Sequence, residues 1–190
     1  HKLMTVKVES EVLRETQLVV CLLFQYAGMS FVDFAHLKER NIKNGILDYN
    51  RQKTGTPMRL EILDTAELMR KELMGDKRPA SGYLFPFLSG TKTGYEAYLE
   101  YNAALSRFNR NLKALKKAAG IASDVTSYTI RHSFAMALKE QNVPIEMISE
   151  LLGHKSIKTT QIYLRSFSLE KMTEVNSTCF GCVYNYVSKV

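Results

Sequence analysis

The chain has 190 residues, of which 45% are hydrophobic and 24% are charged. This balance is typical of one globular domain with its own core. The formal net charge of +7 favours a polyanionic partner without proving one. No apolar run reaches the roughly 20 residues that span a bilayer, and no signal peptide is visible. We therefore expect a cytoplasmic protein with no membrane partner.

The first half of the chain is predicted to contain helices around one β-hairpin. Apolar periodicity predicts a helix over 11–26, and Ser30 can cap a second helix. Turn signals flank two alternating segments, 46–49 and 58–62, so we predict a hairpin with Lys53 close to its tip. A further helix is expected over about 64–74, followed by a loop rich in glycine and proline.

The second half is predicted to be helical throughout. A long helix is expected over 95–119, followed by a helix that begins at Ser127, a short helix after Pro144 and a helix capped by Ser156. A last helix is expected over 169–175, before an extended tail. Strands and helices do not alternate, so we expect a mainly α fold with a small antiparallel β-sheet rather than a doubly wound sheet.

Tyr163 is the candidate nucleophile of a phosphodiester-cleaving site. A phenol has a pKa near 10 and needs nearby cations or a base to act at neutral pH. Arg131 offers a rigid donor fork for the phosphate oxygens, His154 can donate a hydrogen bond or move a proton, and Lys53 can protonate the leaving oxygen. Such cations replace a metal electrostatically, so we expect no metal and no cofactor. Each of these residues, taken alone, more often has a structural role. Only the joint pattern favours a catalytic role.

Two C-terminal motifs carry a family resemblance. The segment Arg131-His-Ser-Phe-Ala135 and the segment Leu151-Leu-Gly-His-Lys-Ser-Ile-Lys-Thr-Thr-Gln-Ile-Tyr163 resemble the signature of the tyrosine recombinases, the phage integrase family. Arg51-Gln-Lys-Thr-Gly55 resembles the lysine-bearing hairpin of that family. Gly28-Met-Ser-Phe-Val-Asp33 is similar to integrases of Bacteroides-type mobile elements. The resemblance covers most of residues 11–175.

The resemblance implies a catalytic-domain fold and DNA cleavage and rejoining through a 3′-phosphotyrosyl link. It implies that Tyr163 is the nucleophile, Arg131 the second catalytic arginine and Lys53 the general acid. His154 takes the position of the second histidine. Tyr128 stands where the family usually has a histidine, and a phenol can still hydrogen-bond a phosphate oxygen.

Ala27 is the more serious departure, because the first catalytic arginine of the family normally precedes the Gly-Met-Ser-Phe-Val-Asp stretch. Losing one such contact typically costs about 10²–10³ in rate. Three explanations remain open at this point: an engineered substitution, a naturally weakened recombinase, or another cation in its place. Arg51, Arg59 and Lys155 are the candidates for that cation.

The resemblance also implies double-stranded DNA as partner and self-association on DNA in a tetrameric synapse. Helical spacing and proximity to the motifs suggest backbone contacts from Arg51, Arg107, Arg110, Lys113, Lys117, Lys155 and Lys158. We expect residues 1–175 to form the catalytic domain and residues 176–190 a tail that protomers can exchange. The family's N-terminal core-binding domain is expected to be absent. The alternatives are a catalytically impaired DNA-binding relative and an unrelated helical DNA-binding regulator.

Overall fold

The computed structural model describes residues 1–77, 82–164, 172–174 and 177, apart from the side chain of Tyr163. The predicted fold class is confirmed, because the described residues are mostly helical with one small sheet. The helices are α1 (Lys2–Thr5), α2 (Glu11–Gln25), α3 (Phe31–Ala35), α4 (Asp64–Met74), α5 (Gly94–Ala118), α6 (Ser127–Glu140), α7 (Ile145–Leu151) and α8 (Ile157–Tyr163). The strands are β1 (Ile42–Lys43), β2 (Ile46–Asn50) and β3 (Pro57–Glu61).

The sheet is an antiparallel hairpin with a short added edge strand. In β2 and β3, Leu47 pairs with Leu60 and Tyr49 pairs with Met58. This register puts Leu47, Tyr49 and Met58 on the buried face, as alternation in a strand requires. The turn at the far end carries Lys53, as predicted. β1 was not predicted, because two residues are too few to show a period.

Helix α2 forms the centre of the main core. Its residues Leu18 to Leu23 are buried, and it packs against α4, α5 and α6. Each fully buried leucine contributes about 1.5–3 kcal/mol through removal of apolar surface from water. The helix ends at Gln25, and the chain then turns sharply through Ala27 and Gly28, both with positive φ. This turn places Ala27 and Gly28 directly after the C-terminal end of α2.

Stacked aromatic rings fasten α3 to the rest of the core. The Phe31 ring stacks on Phe108 of α5 with centroids 4.7 Å apart, and the Phe34 ring stacks on Phe85 with centroids 4.1 Å apart. The Ser30 hydroxyl caps α3 by accepting from the Asp33 amide, as predicted. Because both faces of the short helix are held, Asp33 projects from a rigid support.

A second, smaller apolar cluster holds the C-terminal helices together. Ala135 of α6 packs with Ile148 and Leu152 around α7. This cluster sets the turn between α7 and α8, where His154 lies. The predicted helix over 169–175 lies mostly outside the described residues, as does almost all of the tail 176–190. Among the described residues, no helix combines the length and apolar character needed to cross a bilayer.

Candidate active site

Arg131 is a buried residue of α6, with 5% of its side chain exposed. Its Nη1 donates to the Gly28 carbonyl at 3.0 Å, and its Nη2 donates to the Leu152 carbonyl. Nη2 also lies 3.2 Å from Nε2 of His154. One guanidinium thereby joins the turn after α2 to the turn after α7. The two residues that the motifs singled out do share one site.

His154 follows α7 and is held at both ring nitrogens. A guanidinium can only donate, so Nε2 accepts from Arg131 and Nδ1 carries the proton. Nδ1 then donates to the Thr160 hydroxyl, which is 2.9 Å away and fully buried. Burial, and then the charges of Arg131 and Arg51, lower the pKa of His154 to about 4. The imidazole is therefore neutral at pH 7, and its ε nitrogen accepts from Arg131 in this structure.

Arg51 is drawn into the same site from the end of β2. Only 9% of it is exposed. Nη1 donates to the Gly153 carbonyl at 2.9 Å, and Nε lies 3.5 Å from Oδ2 of Asp33. The guanidinium of this predicted DNA contact therefore lies inside the fold, next to the turn that carries His154.

Asp33 is the acidic member of this cluster, and its carboxylate is buried. Oδ1 accepts from the Gln52 amide at 2.7 Å, and Oδ2 accepts from the Ser30 hydroxyl at 2.6 Å. The side chain thus fastens the hairpin to α3. Sequence reasoning quoted this aspartate within a motif and gave it no role. A carboxylate at a helix start that is otherwise apolar was the available signal.

Gly153 allows the close approach of Arg51. Its φ is +60°, and a Cβ atom added there would lie 2.8 Å from Cδ of Arg51 and would also overlap Sδ of Met58. Only glycine takes this conformation without strain and leaves that space open. The Leu-Leu-Gly-His run is therefore required by packing as well as by chemistry.

Ala27 lies within this neighbourhood but contributes no polar group to it. The residue is buried and has a φ of +54°. The adjacent Gly28 carbonyl accepts from Arg131, which places Ala27 next to the guanidinium. Ala27, where the resemblance places the family's first arginine, therefore lies next to Arg131 and carries only a methyl group.

The remaining predicted catalytic residues lie on elements that also contribute a residue to the cluster. Lys53 is exposed on the hairpin turn, two positions after Arg51. Tyr128 is 62% exposed in the first turn of α6, three positions before Arg131. The backbone of Tyr163 is the last residue of α8, one turn after Thr160, and its side chain lies outside the described part. Thr160, the partner of His154, was not identified from sequence.

The other predicted DNA contacts are all exposed. Four lie on α5, namely Arg107, Arg110, Lys113 and Lys117. The other two, Lys155 and Lys158, follow His154 in the sequence. Arg107 lines a cleft beside Val12 and Thr16, near the start of α2. Thr16 lies nine residues before the end of α2 at Gln25, about 14 Å along the helix, so Arg107 lies toward the other end of α2 from the turn at Gly28. Lys155 directly follows His154, and Lys158 lies in the first turn of α8.

Comparison with known proteins agrees with this class of site. A segment of 54 residues is 52% identical to tyrosine recombinase XerD of Lacticaseibacillus casei, covering 28% of this chain and 18% of that protein. A segment of 75 residues is 41% identical to tyrosine recombinase XerC of Rickettsia typhi, covering 40% of this chain and 24% of that protein. The matches span about a quarter or less of the length of these relatives.

Solved structures share the fold at low sequence identity. The XerA recombinase aligns with a TM-score of 0.62 at 21% identity, over 92% of this chain and 64% of that one. The XerH site-specific recombinase bound to a palindromic difH substrate aligns with a TM-score of 0.64 at 20% identity, over 93% and 48%. The Tn1549 transposon integrase aligns with a TM-score of 0.64 at 14% identity, over 89% and 60%.

These alignments define the class: a mostly helical catalytic-domain fold of the tyrosine recombinases. The phage integrase family matches residues 2–170, which is most of the sequence. The chain therefore belongs to the phage integrase family.

Proposed function

We propose that this chain is the catalytic domain of a site-specific tyrosine recombinase that cleaves and rejoins DNA through a 3′-phosphotyrosine intermediate. The observation that carries the proposal is the 3.2 Å contact between Arg131 and His154 in a partly buried cluster that Arg51 also joins. The hairpin that contributes Arg51 also carries Lys53, and the helix α8 that contributes Thr160 also carries Tyr163. The matched relatives are named tyrosine recombinases, which supports the same reading.

In the proposed reaction, the Tyr163 oxygen attacks the scissile phosphorus. A bond forms between the phenolic oxygen and phosphorus, and the bond from phosphorus to the 5′ oxygen breaks. The phenol proton passes to solvent or a neighbouring base, and Lys53 protonates the leaving 5′ oxygen. The covalent link conserves the energy of the broken bond, so the reverse attack by a 5′ hydroxyl rejoins the strand.

Arg131 is the electrostatic centre of this mechanism. Negative charge grows on the non-bridging oxygens as the tyrosine attacks, and a fixed, partly desolvated guanidinium stabilises it without reorganisation. Its bonds to the Gly28 and Leu152 carbonyls hold it in place before DNA arrives. His154 orients the guanidinium by accepting from Nη2, and Tyr128 is proposed to contact a phosphate oxygen.

The wider assignment is also a proposal. Residues 1–175 would form the catalytic domain and residues 176–190 an exchanged tail, with a core-binding domain lying outside this chain. The proposed partner is double-stranded DNA. The proposed working assembly is a tetrameric synapse, and the proposed location of the protein is the cytoplasm. Solved relatives bound to DNA support the first of these. The affiliation with Bacteroides-type mobile elements rests on the Gly28–Asp33 motif alone.

A catalytically impaired DNA-binding relative is the second candidate. The observation in its favour is Ala27, which offers no donor at a position beside Arg131. A relative of this kind would bind DNA at the same cluster without forming the covalent link. The two candidates therefore differ in one product, the protein–DNA adduct.

A nicked suicide duplex distinguishes them. The probe is a pool of duplexes randomised around a nick placed just 3′ of the tested phosphate, so that the short 5′-hydroxyl fragment diffuses away. We expect a covalent adduct on a denaturing gel that falls below detection in Tyr163→Phe. Tyr95→Phe is the matched control, because that tyrosine is 72% exposed on α5. Equal adduct from Tyr163→Phe, or none from the unaltered protein and Ala27→Arg, contradicts the proposal.

A further inference from the structure

We propose that two copies of this chain dimerise in the absence of DNA by pairing their β3 strands antiparallel across a two-fold axis. The pairing joins the three-stranded sheet of each copy into one continuous sheet. Arg59 of each copy lies opposite Glu61 of the other, and the two Leu60 residues face each other at the axis. The inference goes beyond the proposed function, because it involves no residue of the catalytic cluster.

The first support is a free edge of the sheet. The strand order is β1-β2-β3, so β3 pairs only with β2 among the residues that the structure describes. The Ile62 amide donates to the Gly45 carbonyl, which fixes the phase of the ladder between β2 and β3. Hydrogen-bonded pairs alternate along an antiparallel ladder. The backbone N–H and C=O groups of Arg59 and Glu61 therefore point away from β2, toward the free edge.

The second support is the charge pattern of β3. Arg59 and Glu61 are exposed, lie on the same face of the strand and form no ion pair within the described part of the chain. In a symmetric antiparallel pair, the register that puts Arg59 opposite Glu61 does so twice. A shift of the second strand by two residues instead opposes two arginines or two glutamates. Opposite charges at opposed positions stabilise a sheet and like charges destabilise it, so this one register is favoured.

The third support is the apolar face of the same strand. Met58, Leu60 and Ile62 alternate with the charged residues, and Leu60 and Ile62 are only half-buried. They lie next to a groove of about 640 Å³ whose lining includes Met58, Leu60, Met147 and Leu151. Met147 of α7 is 54% exposed. Residues that are opposed across a sheet share a face, so the pairing sets Leu60 against Leu60 and Met58 against Ile62 and covers this apolar surface.

The alternative is that β3 is protected against pairing. Charges and a proline on an edge strand commonly serve that purpose, and β3 begins with Pro57. Asp48 lies directly opposite Arg59 in the hairpin and offers it a partner within the chain. In that case the protein stays monomeric. The tail of the same chain, or an extended segment of another protein, could also occupy the edge, and neither would make association depend on charge pairing between copies.

Sedimentation equilibrium of the full chain without DNA measures the dimerisation. We expect a reversible dimer for the unaltered protein. Arg59→Glu and Glu61→Arg should each weaken dimerisation by about 10–30-fold, because each change turns two attractive cross-strand pairs into two repulsive ones. The double variant that carries both changes should dimerise like the unaltered protein, because both pairs are reversed and kept.

Mixing the two single variants gives a sharper test. Arg59→Glu carries two acids at these positions of the strand and Glu61→Arg carries two bases, so every opposed pair between them is of opposite sign. We expect the mixture to form a heterodimer, whereas each variant alone stays mostly monomeric. Arg110→Glu is the matched control, because Arg110 is an exposed arginine on α5 and its charge change is the same. We expect it to dimerise like the unaltered protein and to form no additional heterodimer with Glu61→Arg.

A cysteine at the axis tests the register. Leu60→Cys is made together with Cys179→Ser and Cys182→Ser, and the remaining Cys21 is buried. The two cysteines would form a non-hydrogen-bonded pair with Cα atoms about 4.5 Å apart, which a disulfide can bridge. We expect a disulfide-linked dimer on mild oxidation. Lys43→Cys in the same background, on the exposed outer strand β1, is expected to give none.

Three results would overturn the proposal. They are a protein that stays monomeric at every concentration, a dimer that the charge reversals leave unchanged, and a dimer that Leu60→Cys does not cross-link. Thermal unfolding confirms that each variant is folded. The covalent adduct assay does not depend on these results, so the proposed function is tested separately.

Discussion

Tyr26 shows how a single buried hydroxyl is placed in this core. The side chain is 2% exposed, and its oxygen has no hydrogen-bond partner among the described residues. Burial raises the pKa of this phenol to about 12, so it stays neutral. A buried hydroxyl without a partner costs about 1–3 kcal/mol.

We therefore predict that Tyr26→Phe raises the free energy of unfolding by about 1 kcal/mol, measured by urea denaturation. The ring contact with Phe34, whose centroid is 6.4 Å away, is kept in this variant. A decrease in stability would show that the hydroxyl binds a buried water or another group.

His154 makes stability depend on pH in a defined window. Its pKa is about 4 in the folded protein against 6.5 ordinarily. Above pH 6.5 the ring is neutral in both states. Between the two values the unfolded chain binds the proton and the folded chain does not, so stability falls as the pH falls.

We predict a loss of about 2–3 kcal/mol from this residue between about pH 7.5 and about pH 4, allowing for its partial exposure. His154→Gln removes this contribution, and its unfolding free energy should fall less over the same range. Parallel pH profiles of the two proteins would contradict the assignment of a neutral, desolvated imidazole.

At the scale of elements, the turn between α7 and α8 requires a glycine, because a side chain at position 153 would overlap its neighbours. Gly153 combines a φ of +60° with the close approach of Arg51, whereas Gly45 has a φ of +75° with nothing within 4 Å of an added Cβ. Alanine at either position would strain the backbone, because both positions have a positive φ. Only alanine at 153 also displaces the hairpin arginine.

We predict that Gly45→Ala costs about 1 kcal/mol and Gly153→Ala about 2–4 kcal/mol of stability. The difference between the two variants measures the steric part, and thermal unfolding provides it. Gly153→Ala should also slow adduct formation, because it moves Arg51 away from the site. Equal losses of stability in the two variants would show that Arg51 and Met58 move aside without lowering the stability.

For the whole molecule, the basic excess predicts salt-dependent DNA binding. Lys113 and Lys117 are exposed on α5 at a spacing of one turn, so they share a face. If both contact phosphates, each substitution by glutamine should reduce the slope of log affinity against log salt by about 0.9. Fluorescence anisotropy with a labelled duplex measures this slope.

Lys116→Gln is the control on the same helix. Lys116 pairs with Asp124 at 3.3 Å and is less exposed, so its loss should leave the salt slope unchanged. An equal change in all three variants would show a general effect of net charge rather than a phosphate-binding face.

Local sequence signals determined most of the elements of this protein. The helical period in residues 11–26 and 95–119 predicted α2 and α5 almost to their ends, because long amphipathic helices repeat the pattern several times. Ser30, Ser156 and the turn glycines marked boundaries through their own backbone chemistry. The helix α1 and strand β1 gave no such signal, since two to four residues are stabilised by their neighbours and not by a period.

The motif residues Arg131 and His154 were likewise identified from the sequence, and the family with them. Only the tertiary structure decided that Arg51, 102 residues from Gly153, joins the same cluster, and that Asp33 and Thr160 bind its members. No local preference specifies such contacts. They arise because α2, the hairpin and α7 are buried against one another. This packing leaves a few backbone carbonyls and one imidazole without hydrogen-bond donors, and the guanidinium groups supply those donors.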